Sequence, residues 1–270
     1  MLKFRSVAML AGVALFGTAC GGPEELAQQE QAPMSWEEFK ASAIQDEGGA
    51  FVVDMDIALE NEQALREYYD FNVAPSQGKK QDGLAVYYLG YDVKWSSTQK
   101  LNLTYCVSSS SFGSRYSTVV NAMASATGAW EAAANVNFIH SSTYDSNCTA
   151  SQTGVLFDVR QTSTTSYLAR AFFPNASRSS RNILISTSAF GSISPWTLTG
   201  ILRHELGHVL GFRHEHTRLS STGCYEDSKW RALTSYDSSS VMHYPQCKGT
   251  QTGDLVLTSY DKSGAKALYP

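Results

Sequence analysis

The feature that most constrains this chain is a histidine-rich run at residues 204–214, HELGHVLGFRH, which fits the pattern HExxHxxGxxH. On a helix, His204 and His208 lie one turn apart and point the same way. Gly211 can then end the helix, because glycine adopts the positive φ that other residues resist. After this turn, His214 can approach the same point from another side. Three neutral imidazoles with an open fourth position are what catalytic zinc uses, so the run predicts one zinc ion.

Glu205 follows the first predicted ligand directly and is placed to take a proton from water on the metal. The alternative explanation of the run is a buried helix whose histidines are hydrogen-bonded core residues. That alternative would be favoured for one histidine alone. Three histidines at this spacing beside a glutamate favour the metal site.

A second element lies downstream, where Met242 and Tyr244 stand in the stretch SVMHYP at residues 240–245. A methionine in a tight turn beneath a three-histidine site forms a soft apolar floor and is typical of metzincins. Together with Phe212, Glu215 and Arg218, these residues make the chain resemble the astacin branch of the metzincin zinc endopeptidases, with its HExxHxxGFxHExxR pattern. The bacterial dual-action HEIGH metallopeptidases are similar, because the HELGH run fits them almost as well.

The resemblance implies roles for three further residues. Tyr244 corresponds to an additional metal ligand that swings away to stabilise the oxyanion; a structural role is the alternative. Glu215 is expected to pair with the freed N-terminus of the mature enzyme, or else to be a surface carboxylate. Asp56 is expected to block the metal in the precursor, as the aspartate of an FxGD pattern does, although Met55 and Val53 replace the glycine and the phenylalanine. An outward-facing carboxylate on an edge strand is the alternative for Asp56.

Hydrophobic periodicity predicts strands alternating with helices before the site helix, and hence a mixed α/β domain. The resemblance adds a mostly parallel sheet with one antiparallel edge strand at residues 167–173. Substrate would pair with that strand. Ser194 and Pro195 predict the start of the site helix. We expect a signal peptide at 1–20, an acidic pro-segment at 21–84 and a catalytic domain at 85–270.

Charge and the N-terminus bear on partners and location. Residues 21–80 carry a net charge of −9 and residues 81–270 a net charge of +3, which suggests that the acidic segment binds the domain after it. The sequence has no basic cluster of the kind that would suggest a nucleic-acid partner. Lys3 and Arg5, an apolar stretch and small residues before Cys20 predict export. Cys20 also resembles the lipidation site of a bacterial lipoprotein, so the protein is expected to be secreted or anchored in the cell envelope. We expect membrane contact only through that anchor.

Four cysteines follow Cys20, and an even number in an exported chain predicts two disulfides. Proximity in sequence favours Cys106 with Cys148 and Cys224 with Cys247, and the two other pairings stay open.

These patterns predict an exported zinc endopeptidase that is made as a zymogen and acts on proteins or peptides. The alternatives are a metzincin of another branch, or a surface binding protein in which zinc only stabilises the fold. The intact Glu205 and Tyr244 favour the enzyme over the binding protein.

Overall fold

The structure of the chain is a computed structural model, which describes residues 34–73, 84–218 and 230–270. The predicted signal peptide, Cys20 and Cys224 lie outside these ranges. The first described range contains α1 (Trp36–Ser42), β1 (Ile44–Gln45), β2 (Phe51–Val53), β3 (Ile57–Leu59) and α2 (Glu62–Asn72).

The later ranges hold the larger part of the fold. Their helices are α3 (Ser109–Phe112), α4 (Tyr116–Glu131), α5 (Leu198–Val209) and α6 (Ser259–Leu268). Their strands are β4 (Ala85–Tyr87), β5 (Leu103–Val107), β6 (Phe138–His140), β7 (Phe157–Thr162), β8 (Ala169–Arg170), β9 (Asn182–Ser186) and β10 (Trp230–Ala232).

Five strands form the central sheet in the order β6-β5-β7-β9-β8. The first four are parallel, and β8 runs antiparallel to β9 at the edge. Helices α4 and α5 cover one face and share a core with it that includes Trp130, Phe157 and Leu206. This arrangement confirms the predicted mixed α/β class, with a mostly parallel sheet and one antiparallel edge strand. That edge strand is short, because only two residues of the predicted stretch pair with β9.

Residues 34–73 form a small layer of their own. Strands β1, β2 and β3 make an antiparallel sheet, and α1 and α2 pack on it through Phe39, Leu65 and Tyr68. This layer lies against the outer face of the central sheet, where Val52 packs on Leu184. We refer to residues 34–73 as the N-terminal layer.

Local signals placed the start of the site helix wrongly. The site helix begins at Leu198 rather than at Pro195, because Thr197 accepts a hydrogen bond from the Gly200 N–H and caps the helix. Pro195 precedes the helix and follows a cis peptide bond. In the N-terminal layer, β2 and β3 are separate strands, since Asp54 and Met55 turn the chain between them with positive φ.

A disulfide joins Cys106 at the end of β5 to Cys148, with Cα atoms 5.7 Å apart, which is the pairing that proximity favoured. Cys247 is also disulfide-bonded. Its expected partner Cys224 lies outside the described ranges, so that pairing stays a prediction. Among the helices of residues 34–73, 84–218 and 230–270, none has the length and apolar character needed to cross a bilayer.

Candidate active site

Helix α5 supplies the first two predicted ligands. His204 and His208 lie one turn apart on its buried face, and Gly211, two residues after the end of the helix, has a φ of 97°. A Cβ atom at position 211 would lie 2.2 Å from the carbonyl oxygen of Val93, so only glycine fits this turn. The chain then reverses and brings His214 to the same point. The predicted role of Gly211 therefore rests on both its φ and the close approach of another backbone.

The three imidazoles converge through their Nε2 atoms. The Nε2 atom of His214 lies 3.2 Å from that of His204 and 3.1 Å from that of His208. Four ligands at tetrahedral zinc distances would be separated by about 3.3 Å, so this spacing fits a zinc ion. His204 and His208 donate their Nδ1 protons to the Val241 and Phe212 carbonyls, which leaves both Nε2 lone pairs directed inward.

Burial keeps this cluster in the state that a metal requires. Burial lowers the pKa of His208 and brings the pKa of His214 well below its ordinary value. The Asp56 carboxylate opposes both changes, but burial outweighs it. Neutral imidazole is the form that ligates zinc. The donor atoms of the three histidines and Asp56 all lie within 4.8 Å of one another. The residues present therefore fit the zinc ion that the sequence predicted.

Asp56 comes from the N-terminal layer and completes the group. Its carboxylate oxygens lie 3.1 Å from Nε2 of His204, 3.2 Å from that of His214 and 3.5 Å from that of His208. Burial would raise the pKa of Asp56, but the histidines hold it well below its usual value. The carboxylate thus faces the metal ligands, rather than outward as the alternative expected. It follows Met55, whose φ of 73° explains why a glycine would suit that position.

The backbone beside Asp56 pairs with the edge strand. The Asp56 carbonyl accepts from the Ala171 N–H at 3.0 Å, and the Ala58 N–H donates to the Ala171 carbonyl at 3.1 Å. This contact forms a parallel bridge just beyond β8. The N-terminal layer therefore covers the edge along which the sequence predicted that substrate would bind.

Glu205 lies on α5 between the two helical ligands and is buried. Its Oε2 atom has no hydrogen-bond partner among the described residues. Burial raises the pKa of Glu205 well above its usual value, and the nearby negative charge of Asp56 adds to the effect. Glu205 lines a cleft of about 450 Å³ beside the histidines, and Ala169 of the edge strand lines the same cleft. A carboxyl group with a raised pKa in a cleft is suited to proton transfer.

Met242 and Tyr244 lie beneath and beside the histidines. The sulfur of Met242 packs so closely on Gly207 of α5 that a Cβ there would lie 2.3 Å from it. The ring of Tyr244 packs on those of His204 and His214, with centroids 5.6 and 4.2 Å away. The Tyr244 hydroxyl donates to the Asp54 carbonyl at 2.5 Å. Burial and the Asp56 charge raise the pKa of this hydroxyl well above its ordinary value, so it stays protonated.

Glu215 is fully buried below the methionine turn. Its N–H donates to the Met242 carbonyl, and its Oε1 accepts from the Asp237 N–H, each at 2.8 Å. It is therefore not a surface carboxylate. Pairing with a mature N-terminus stays a prediction.

The remaining histidines take no ligand position. His243 shares a hydrogen bond of 2.7 Å with the Tyr236 hydroxyl, and His140 pairs with Asp145 at 3.0 Å. His216 stacks on His214 and Tyr244, and burial lowers its pKa to about 3.

One residue at the site was missed by sequence reasoning. Asp261 in α6 accepts hydrogen bonds from the Ser240 hydroxyl at 2.6 Å and the Val241 N–H at 2.9 Å, and so holds the methionine turn. Its only sequence signal is that Thr258 and Asp261 have the spacing of a helix capping box. That signal predicts a helix start but gives no link to the metal site.

Fold, histidine cluster and buried glutamate together define a zinc-dependent peptidase site. A family model described as matrixin matches residues 94–226, which include the three histidines and Glu205. No curated protein sequence matches the chain. The chain is a zinc metalloendopeptidase of the metzincin group. The matching model is matrixin, whereas Glu215 led us to expect the astacin branch, so the branch stays a prediction.

Among solved structures, the chain is similar to high choriolytic enzyme 1, a hatching enzyme zinc-protease from the medaka fish Oryzias latipes. The two are 20% identical, and the alignment covers 65% of this chain and 96% of that chain with a TM-score of 0.42.

Proposed function

We propose that the chain is exported as an inactive precursor and that residues 21–84 are its pro-segment. The observation that carries this proposal is the Asp56 carboxylate, within 3.5 Å of all three zinc-ligand nitrogens. A carboxylate in that position occupies the place that catalytic zinc keeps open for water. The N-terminal layer also pairs with the strand edge and engages the Tyr244 hydroxyl. One segment therefore blocks the open metal position, the strand edge for substrate and the Tyr244 hydroxyl, all of which cleavage needs.

Removal of the segment would free these groups together. Zinc, when bound, lowers the pKa of water toward neutrality and polarises the scissile carbonyl. Glu205 takes the proton of the attacking water and delivers it to the leaving amine, for which its buried position and raised pKa are suited. The Tyr244 hydroxyl, released from Asp54, donates to the developing oxyanion. Substrate backbone replaces residues 56–58 along the edge at β8, by β-augmentation.

Location and activation are inferred from the sequence. The N-terminal charge, apolar stretch and small residues support export, and Cys20 supports lipid anchoring in a bacterial cell envelope. Lys79 and Lys80 suit a processing protease that would separate the pro-segment from the domain. Phe212 and Glu215 support the astacin-like branch.

The test uses the purified full chain, trimmed with a lysine-specific protease and assayed on casein. We expect Glu205→Gln to lower cleavage by about 100-fold or more, the range attributed to general acid–base catalysis, with zinc content unchanged. Glu131→Gln is the matched control, because its amide oxygen can still accept from the Phe138 N–H, away from the cleft. Full activity of Glu205→Gln would refute the assigned base. A trimmed wild type that holds zinc but cleaves nothing would favour a binding protein.

A further inference from the structure

A second cavity lies behind the edge strand, outside the cleft. Ala169 of β8 lines the cleft, whereas the next residue, Arg170, lines a separate cavity of about 490 Å³. Successive side chains of a strand point to opposite faces, so Arg170 faces the outer side of the central sheet. Its side chain is only 2% exposed. A guanidinium buried to this degree needs partners that balance its charge.

The N-terminal layer supplies the charge partner. Nε of Arg170 donates to Oδ2 of Asp46 at 2.8 Å, and the Tyr167 hydroxyl donates to the same oxygen at 2.8 Å. Asn182 of β9 accepts from the other side of the guanidinium. Among the described residues, Asp46 is the only carboxylate in a salt bridge with Arg170. Arg170, Tyr167 and Asn182 thus form a carboxylate pocket on the catalytic domain, which a pro-segment aspartate fills.

The path of the paired strand leads to the same pocket. Beside the edge, Ile57 and Leu59 pack into the core of the N-terminal layer, whereas Ala58 between them lines the cavity of Arg170. A chain that replaces this strand would direct one side chain into the cavity at the corresponding position. In the precursor that side chain is only a methyl group, and the carboxylate that reaches Arg170 belongs to Asp46, the residue after β1.

We propose that Arg170, with the Tyr167 hydroxyl and Asn182, is a subsite that binds an Asp or Glu side chain of the polypeptide substrate. In the precursor, Asp46 occupies this subsite in place of the acidic substrate side chain. This inference rests on the proposed function, since it assumes that the N-terminal layer leaves and that substrate takes its place on the edge. The release of Asp46 would leave the Arg170 guanidinium without the carboxylate that pairs with it in the precursor, and an acidic substrate residue would restore such a pair.

The first experiment measures the pocket without requiring catalysis. The full-length precursor is nicked between residues 74 and 83, and retention of the cleaved segment is measured for wild type, Asp46→Asn, Arg170→Gln and the double variant. We expect each single variant to retain the segment at least about 10-fold less tightly, as for a hydrogen-bonded charge pair, and the double variant to be no worse than either. Glu47→Gln is the control, because its partner Arg160 keeps Asp158. Additive losses in the double variant would overturn the pocket.

The second experiment tests substrate recognition in the activated enzyme. Peptide pairs differ only by Glu or Gln at one position, scanned along the peptide. At one position we expect kcat/KM to favour Glu by about 10-fold or more. Arg170→Gln should bring that ratio to about one, and Tyr167→Phe should reduce it in part. The ratio should persist in Arg181→Gln, whose guanidinium lies over the Trp95 ring instead.

Equal kcat/KM for Glu and Gln at every position would overturn the subsite. If Arg170→Gln does not fold, Tyr167→Phe decides, since it removes one hydroxyl and keeps the ring. If the activated wild type cleaves no peptide, the proposed function fails instead. The subsite is then judged by whether the separated wild-type segment and its Asp46→Asn variant rebind with different affinity.

Discussion

Asp261 and His204 are connected through one residue, Val241, whose N–H donates to the Asp261 carboxylate and whose carbonyl accepts from His204 Nδ1 at 2.6 Å. The C-terminal helix therefore orients the first predicted metal ligand, although the two residues are 57 positions apart in the chain. Partners that lie behind metal ligands set the orientation and basicity of the imidazoles, and their loss weakens metal binding.

Asp261→Ala should accordingly affect both stability and metal binding. The substitution leaves the Ser240 hydroxyl and the Val241 N–H without their buried acceptor, which costs about 3 kcal/mol. We also expect about 10-fold weaker zinc binding, because His204 loses its fixed orientation. Urea unfolding and zinc competition against a chromogenic chelator measure the two effects. Thr258→Ala is the control. It removes only the helix cap, at about 1 kcal/mol, and should leave zinc affinity unchanged.

Gly207→Ala should destabilise the site from below. The new methyl group would overlap the sulfur of Met242 at 2.3 Å and approach Trp130 at 3.2 Å. Overpacking of this kind costs about 1–3 kcal/mol, which exceeds the helix propensity gained from alanine. We expect a lower melting temperature and reduced activity. Gly128→Ala, on an exposed face of α4 with nothing within 4 Å, should raise stability by about 0.5–1 kcal/mol. Equal gains at both positions would show that Met242 does not support α5.

Asp56→Ala should weaken the latency of the precursor. Without the carboxylate, the untrimmed chain loses the group that faces the three histidines. We therefore expect its casein activity to rise at least about 10-fold, which is the change in activity that the loss of a single partner at a metal site commonly produces. Glu60→Ala serves as the control, since Glu60 attaches the same segment through Ser177 and does not touch the site. An untrimmed Asp56→Ala chain as inactive as wild type, with full activity after trimming, would contradict the blocking role.

Acid should release the contact between Asp46 and Arg170. Burial would raise the pKa of Asp46, but the Arg170 charge, its hydrogen bond and those from Glu47 and Tyr167 bring the pKa below its usual value. A carboxyl group whose pKa is lower in the folded state than in the unfolded state stabilises the folded state at pH values above the unfolded-state pKa. That stabilisation is lost as the pH falls through the folded-state pKa. The Asp46→Asn precursor should therefore be less stable than wild type by about 3 kcal/mol at pH 7, the cost of breaking a buried pair.

That difference should shrink as the pH drops below about 4, where the Asp46 carboxyl of the unfolded chain takes up a proton, and further as the pH falls through the lower pKa of the folded chain. Urea unfolding of both precursors from pH 7 to pH 3 measures it. A difference that stays constant across this range would mean that the charge of Asp46 does not stabilise the contact.

Much of the metal site could be predicted from local pattern. His204 and His208 are four residues apart on one helix face, and Gly211 marks the end of that helix. Such spacing has the same geometric meaning wherever the helix forms. The start of the helix was placed wrongly, because Ser194 and Pro195 carry a start signal that Thr197 also carries. Local sequence signals do not decide which of two nearby residues, Ser194 or Thr197, caps the helix.

The residues by themselves determined the histidine ligands, the adjacent glutamate and the alternation of strands and helices, because these depend on periodicity over a few residues. Only the tertiary structure decided that the Asp56 carboxylate reaches His204 across 148 positions, that Asp261 supports the methionine turn, and that Asp46 fills the pocket of Arg170. Such pairings arise from how layers pack, since burial brings distant charged groups together and requires that each be matched.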